Sequence, residues 1–172
     1  MKSKKNLVFL GMMGSGKSSI GSILSKKLKI DFFDVDHEIE KKIGMEISKI
    51  FENKGEKYFR EIEELTTLKL LKKSKTVISL GGGAFLNNKI KKEVLSNHTS
   101  FWLNWDIKTL VNRIKDSKKR PIAIKMSVNE LTLLIKKRST IYSKAMYKID
   151  CENLTKNEIV GNIIKIYDAD QT

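Results

Sequence analysis

An α/β fold, a parallel sheet flanked by helices, is what this 172-residue chain predicts. Three observations carry that expectation. Short apolar runs alternate with longer stretches of helical period, the rhythm of βαβ units. One strand-to-helix junction carries Gly11-Met12-Met13-Gly14-Ser15-Gly16-Lys17-Ser18, a glycine-rich spacing that belongs in that context. No linker, internal repeat or low-complexity segment divides the chain, so one domain over residues 1–172 is expected.

The elements follow in order. Leu7-Val8-Phe9-Leu10 is the first strand, and beyond the glycine-rich turn Ile20, Ile23, Leu24 and Leu28 share one helical face. Asp31-Phe32-Phe33 reads as the second strand and Asp34-Val35-Asp36 as the turn out of it. Helical patterns run from His37 to about Ile43, from Ile47 to about Glu52 and from Lys57 to Leu71. The last is expected to bury Phe59, Ile62, Leu65 and Leu68. Thr76 to Leu80 is a buried strand ending in Gly81-Gly82-Gly83, and Thr99 to Leu103 is a fourth. A helix from about Asp106 to Lys115 leads into the polar stretch Asp116 to Arg120. That stretch ends at Pro121, the single proline, where a break and a mobile loop are expected. A helix from Val128 to about Ser143, a strand from Tyr147 to Asp150 and a helix from Thr155 to Tyr167 complete the domain. In such a sheet, ligands are expected at the carboxyl ends of the strands.

Composition narrows the class. Charged residues make up 31% and hydrophobic residues 40%, the balance of a soluble globular protein. The basic start Met1-Lys2-Ser3-Lys4-Lys5 precedes an apolar run too short for a signal peptide, and no run approaches membrane-spanning length. Cys151, the one cysteine, excludes an internal disulfide and fits a reducing cytoplasm. The net charge of +14 is spread in pairs such as Lys26-Lys27 and Lys91-Lys92, with no arginine stripe or aromatic stacking platform, so no nucleic-acid partner is expected. A positive field of this kind still draws in anionic substrates. Four of the 34 basic residues are arginines, Arg60, Arg113, Arg120 and Arg138. A chain that uses lysine nearly everywhere and keeps arginine at four places points to planar, bidentate recognition at some of them.

The motifs carry a specific chemistry. The glycine-rich loop turns backbone N–H groups toward phosphate oxygens at a helix N-terminus. Lys17 is placed to reach the β- and γ-phosphates, and the Ser18 hydroxyl to ligate Mg²⁺. Asp34 and Asp36 stand at the exit of the second strand. One suits the hydration shell of the metal and the other suits a hydroxyl proton, the alternative being an acidic turn that caps the next helix. Glu63, three residues beyond Arg60, is spaced to orient its guanidinium, unless the two form only an exposed ion pair. The triple glycine lets backbone approach a small ligand closely.

With these motifs in hand, the chain resembles the shikimate kinases over nearly its full length. The resemblance rests on the phosphate loop, Asp34-Val35-Asp36, Phe59-Arg60 with Glu63, the triple glycine, Arg120-Pro121, and Arg138 with Tyr142. It implies a nucleoside-monophosphate-kinase-like P-loop fold with a five-stranded parallel sheet in the order 2-3-1-4-5. It further implies transfer of the ATP γ-phosphate to the 3-hydroxyl of shikimate, and a cytoplasmic monomer with no nucleic-acid or membrane partner is expected. A substrate-binding helical region at about 34–62 and a lid at about 114–126 come with it. By the same resemblance, Asp36, Lys17 and Arg120 are catalytic, and Gly14, Ser15, Gly16, Lys17, Ser18, Ser19, Arg113 and Arg120 bind ATP, with Arg113 along the adenine. Asp36, Phe51, Phe59, Arg60, Gly82, Gly83 and Arg138 bind shikimate, the two arginines gripping its carboxylate. Ser18 and Asp34 hold Mg²⁺. The chain departs from the family pattern at Ser19, where threonine is usual, and at Arg138-Ser139-Thr140-Ile141-Tyr142, which replaces Arg-x-Pro-Leu-Tyr.

Other readings fit less well. A gluconate kinase would share loop and lid but not both clamp arginines with the Asp-x-Asp turn. A regulatory GTPase needs Asn-Lys-x-Asp, and the nearest string is Asn53-Lys54-Gly55-Glu56. A nucleic-acid-dependent ATPase calls for an aspartate where the third strand here ends in Gly81. An inactive scaffold would have no use for Lys17, Asp36 and Arg60 together.

Overall fold

The computed structural model describes residues 5–116, 123 and 125–170. Its elements are β1 (Leu7–Leu10), α1 (Lys17–Leu28), β2 (Phe32–Asp34), α2 (Val35–Ile43), α3 (Ile47–Leu71), β3 (Val77–Ser79), α4 (Asn88–Asn97), β4 (Thr99–Asn104), α5 (Ile107–Lys115), α6 (Val128–Tyr142), β5 (Tyr147–Asp150) and α7 (Lys156–Ala169). The five strands are parallel in the order β2-β3-β1-β4-β5, with Leu7 of β1 in register with Val77 on one side and Thr99 on the other. This is the order the resemblance implies. All carboxyl ends therefore lie along one edge, and β1 at the centre delivers the phosphate loop to the middle of it.

Strand alternation divides the core. Leu7 and Phe9 face α1 and α7, packing with Ile20, Leu24, Ile159 and Ile163. Val8 and Leu10 face the opposite layer, with Ile39, Ile62, Ile90 and Tyr142. Side chains two apart share a face, so a four-residue strand is enough to serve both layers.

Helix starts and stops have local causes. Ser127 with Glu130 and Thr155 with Glu158 form capping boxes at the starts of α6 and α7. Asn87 caps α4 by accepting from Lys89 and Ile90 N–H, in a stretch for which the sequence pattern set no bounds. Asp34 accepts from His37 N–H, so α2 begins at Val35 and Asp36 lies in its first turn rather than in a turn outside the helix. The two helical patterns expected from Ile47 and Lys57 join as α3 across a kink at Gly55, whose φ of 81° is the left-handed value that ends one helical run. On α3, Leu65 is 62% exposed, contrary to the expected burial, while Thr66 and Thr67 are buried in its place. The inward face runs through Phe59, Ile62, Glu63, Thr66 and Leu70, and helical geometry turns position 65 away from it.

Asn6, fully buried, ties three segments together just before β1. Its Nδ2 donates to Leu71 O at 3.0 Å and Lys73 O at 2.8 Å, and its Oδ1 accepts from Thr76 N–H at 3.1 Å. Asn6→Ala leaves those buried groups unpaired and is expected to lower stability by about 1–3 kcal/mol. The check is a lower urea midpoint with kcat retained; an unmoved midpoint contradicts it. Among the described residues no helix is long and apolar enough to cross a membrane.

Candidate active site

The site is built on the carboxyl edge from three pieces of backbone. The first is the turn after β1. Gly11, Gly14 and Gly16 hold φ values of 142°, 78° and 85°, which L side chains rarely adopt. Lys17 opens α1, and its Nζ donates to Gly11 O at 2.8 Å and Met12 O at 2.9 Å, folding the amine over the loop. Ser18 and Ser19 continue the first turn, and the Ser18 hydroxyl donates to Asp34 Oδ2. Asp34 thus does two things at once, since its other oxygen caps α2. Capping and a place beside the loop are compatible, not alternatives.

The second piece is the α2–α3 layer. Arg60 Nη1 donates to Glu63 Oε2 at 2.7 Å, and its Nε and Nη2 donate to Glu56 Oε1 at 3.3 and 3.2 Å. Burial pushes the Glu63 carboxyl above its ordinary range, with Asp36 acting the same way, while the Arg60 and Arg138 charges pull it back in part. Burial opposes the Arg60 charge as well, yet Glu63 and Glu56 outweigh it and raise the guanidinium pKa. This is more than an exposed helical pair, because the Glu63 side chain is only 3% accessible. Phe51, before the kink, meets Phe59, after it, with ring centroids 4.6 Å apart, and the Arg60 guanidinium lies 5.2 Å from the Phe59 centroid.

The third piece is the triple glycine after β3, and it joins the other two. A Cβ on Gly81 would lie 2.6 Å from Glu63 Oε1 and 2.8 Å from Asp36 Oδ1. One on Gly82 would lie 3.3 Å from Met13 N and 3.6 Å from Arg138 Nη1, and one on Gly83 2.5 Å from Arg60 Nη1. Three consecutive residues without side chains therefore let Asp36, Glu63, Arg60, Arg138 and the phosphate loop converge on one strip of backbone. Tyr142, buried on α6, donates its hydroxyl to Gly82 O and anchors that strip. Helix α6 runs unbroken through Thr140, so Arg138 is presented from regular helix without the proline usual at that position. Arg138 Nη1 contacts Met12 Sδ at 3.8 Å, and among the described residues its buried Nε has no hydrogen-bond partner.

Arg113, on α5, stacks on Trp105 with its guanidinium carbon 3.8 Å from the ring centroid and donates to Gly14 O at 3.3 Å. Arg120 and Pro121 lie outside the described residues. Among the described residues no cluster of three or more His, Cys, Asp or Glu stands ready for a metal. Burial pushes the Cys151 thiol up to about 12, so it is protonated at neutral pH and inert as a nucleophile. A separate groove of about 740 Å³ between α2 and α3, lined by Phe33, Lys41, Leu65 and Lys73 among others, holds none of the site residues.

Sequence reasoning singled out Gly81 within the triple glycine but not its two carboxylate neighbours, and it missed Trp105 and Met12. The glycine run contained the signal for Gly81, and for Trp105 the signal was an aromatic residue directly after a strand on the ligand-bearing edge. Nothing in the sequence marked Met12 as a neighbour of Arg138, 126 positions away.

Comparison with known proteins identifies the family and the fold. The family profile described as shikimate kinase matches residues 13–168. A shikimate kinase of Thermodesulfovibrio yellowstonii is 39% identical over 165 residues, covering 95% of each chain. The crystal structure of shikimate kinase from Aquifex aeolicus superposes with a TM-score of 0.86 at 37% identity, over 96% of this chain and 97% of that one. The shikimate kinase of Acinetobacter baumannii, solved in complex with shikimate, gives a TM-score of 0.91 at 27% identity, over 99% and 96%.

Proposed function

The chain belongs to the shikimate kinase family, and from that premise we propose that it transfers the γ-phosphoryl group of ATP to the 3-hydroxyl of shikimate, giving shikimate 3-phosphate and ADP. The observation that carries this reading is the convergence of Asp36, Arg60 and Arg138 on Gly81–Gly83 beside the phosphate loop. A substrate with one carboxylate and several hydroxyls needs a cationic grip at one end and a proton acceptor at the other.

In the proposed mechanism, loop N–H groups of Gly14, Ser15 and Gly16, with Lys17, Ser18 and Ser19, hold the triphosphate. Lys17 exchanges its hold on Gly11 O and Met12 O for phosphate oxygens. Ser18 and Asp34, two hard oxygen donors already in contact, would hold Mg²⁺. When bound, it would supply positive charge to offset that of the triphosphate. Arg60 and Arg138 take the shikimate carboxylate, which also supplies the missing partner for Arg138 Nε. Phe51 and Phe59 wall the ring, and Gly82 and Gly83 form its floor. Asp36 accepts the proton of the attacking hydroxyl. Arg113 lies along the adenine, and Arg120 closes onto the phosphates from a lid at about 114–126, excluding water. The substrate-binding region spans about 34–62, and the protein acts as a cytoplasmic monomer on small molecules, without nucleic-acid or membrane partners.

Coupled ADP release tests the reading: strong release with shikimate, little with gluconate or with no acceptor. Equal release in all three overturns it. Arg138→Lys replaces a planar fork by a point charge and is expected to raise the shikimate KM about tenfold, with a smaller change in the ATP KM. An unchanged shikimate KM removes Arg138 from the clamp.

A further inference from the structure

Trp105 follows β4 directly, where the carboxyl end of that strand runs beside the phosphate loop. Its Nε1–H donates to Ser15 O at 2.9 Å, and its ring face carries the Arg113 guanidinium at 3.8 Å. Arg113 in turn donates to Gly14 O at 3.3 Å. Two stacked side chains from the same edge thus hold two consecutive carbonyls of the loop. In a trans peptide the C=O and the next N–H point in opposite directions. Drawing Ser15 O toward the indole therefore turns the Gly16 N–H away from it, and Gly16, at φ 85°, is free to accept that orientation. A loop that binds phosphate through its N–H groups depends on the direction of each peptide plane.

We propose that Trp105 is a positioning residue for the nucleotide. It sets the Ser15–Gly16 peptide plane through its N–H and pre-stacks Arg113 on its face, leaving the opposite face of the guanidinium for the purine. The inference rests on the ATP-dependent reading above. Indole contributes here in two separable ways, a hydrogen-bond donor and a flat π surface for a cation. Among the described residues, Trp105 and Arg113 grip the loop at Gly14 and Ser15, whereas Asp36, Arg60 and Arg138 gather at Gly81–Gly83, so the effect is expected on one substrate.

The test compares Trp105→Leu, which removes both contributions, with Trp105→Phe, which keeps a ring face and loses the donor. For Trp105→Leu, the Kd for ADP and the KM for ATP are expected to rise about tenfold, with the shikimate KM and kcat within about twofold. Trp105→Phe should recover part of the loss, leaving ADP binding about threefold weaker than in the parent. If the Leu variant does not fold, the Phe variant decides alone. ADP affinity equal to the parent's in the folded variants overturns the assignment, as does a parallel loss of both substrates. A parent that binds ADP yet phosphorylates no shikimate overturns the function reading instead, and the ADP titrations still decide the role of Trp105.

Discussion

Asp36→Asn is expected to lower kcat by about 10²–10⁴-fold while leaving ADP affinity within about twofold of the parent, because a general base is removed and the nucleotide site is untouched. Asparagine keeps the shape of the side chain in the first turn of α2 but cannot take a hydroxyl proton. The groups proposed to hold the nucleotide belong to the loop and α1, with Arg113 and Arg120, whereas Asp36 lies against Gly81 and Glu63. Steady-state kinetics with a separate ADP titration distinguish the two ends. A kcat within tenfold of the parent, or an ADP affinity that falls with it, contradicts the role given to Asp36.

Gly81→Ala should reduce kcat/KM for shikimate about 10²-fold with little change in the urea midpoint. The cause is not backbone strain, since Gly81 is absent from the positive-φ glycines. It is the methyl group itself, placed 2.6 Å from Glu63 Oε1 and 2.8 Å from Asp36 Oδ1. Both carboxylates must retreat, and Glu63 takes Arg60 with it through their 2.7 Å bond. Misplacing reacting and gripping groups by about 1 Å costs on the order of 10²-fold in rate. The clashing atoms are the far ends of flexible side chains rather than backbone, so they shift without unfolding the core and stability is spared. Full activity in this variant would show that the carboxylates do not need their present positions.

The phosphate loop was legible because its chemistry is contiguous: eight residues carry the glycines, the lysine and the hydroxyl together. Helix and strand periods were legible for the same reason, and the strand from Tyr147 to Asp150 has the bounds its pattern predicts. Leu65 and the start of α2 were not. Several apolar faces fit the α3 pattern, and which one turns inward is decided by the sheet it packs on. The α2 start depends on a cap whose carboxylate is shared with Ser18.

By itself the sequence determined the α/β class, the nucleotide loop, the four arginines and, through its resemblance, the family. Tertiary structure alone decided that Gly81 leaves no room for a side chain beside two carboxylates, that Met12 meets Arg138, and that Trp105 holds Arg113 and Ser15 together. The difference is one of range. Periodicity and loop chemistry act between near neighbours in the chain, whereas these contacts arise only once the parallel order β2-β3-β1-β4-β5 brings distant strand ends to one edge.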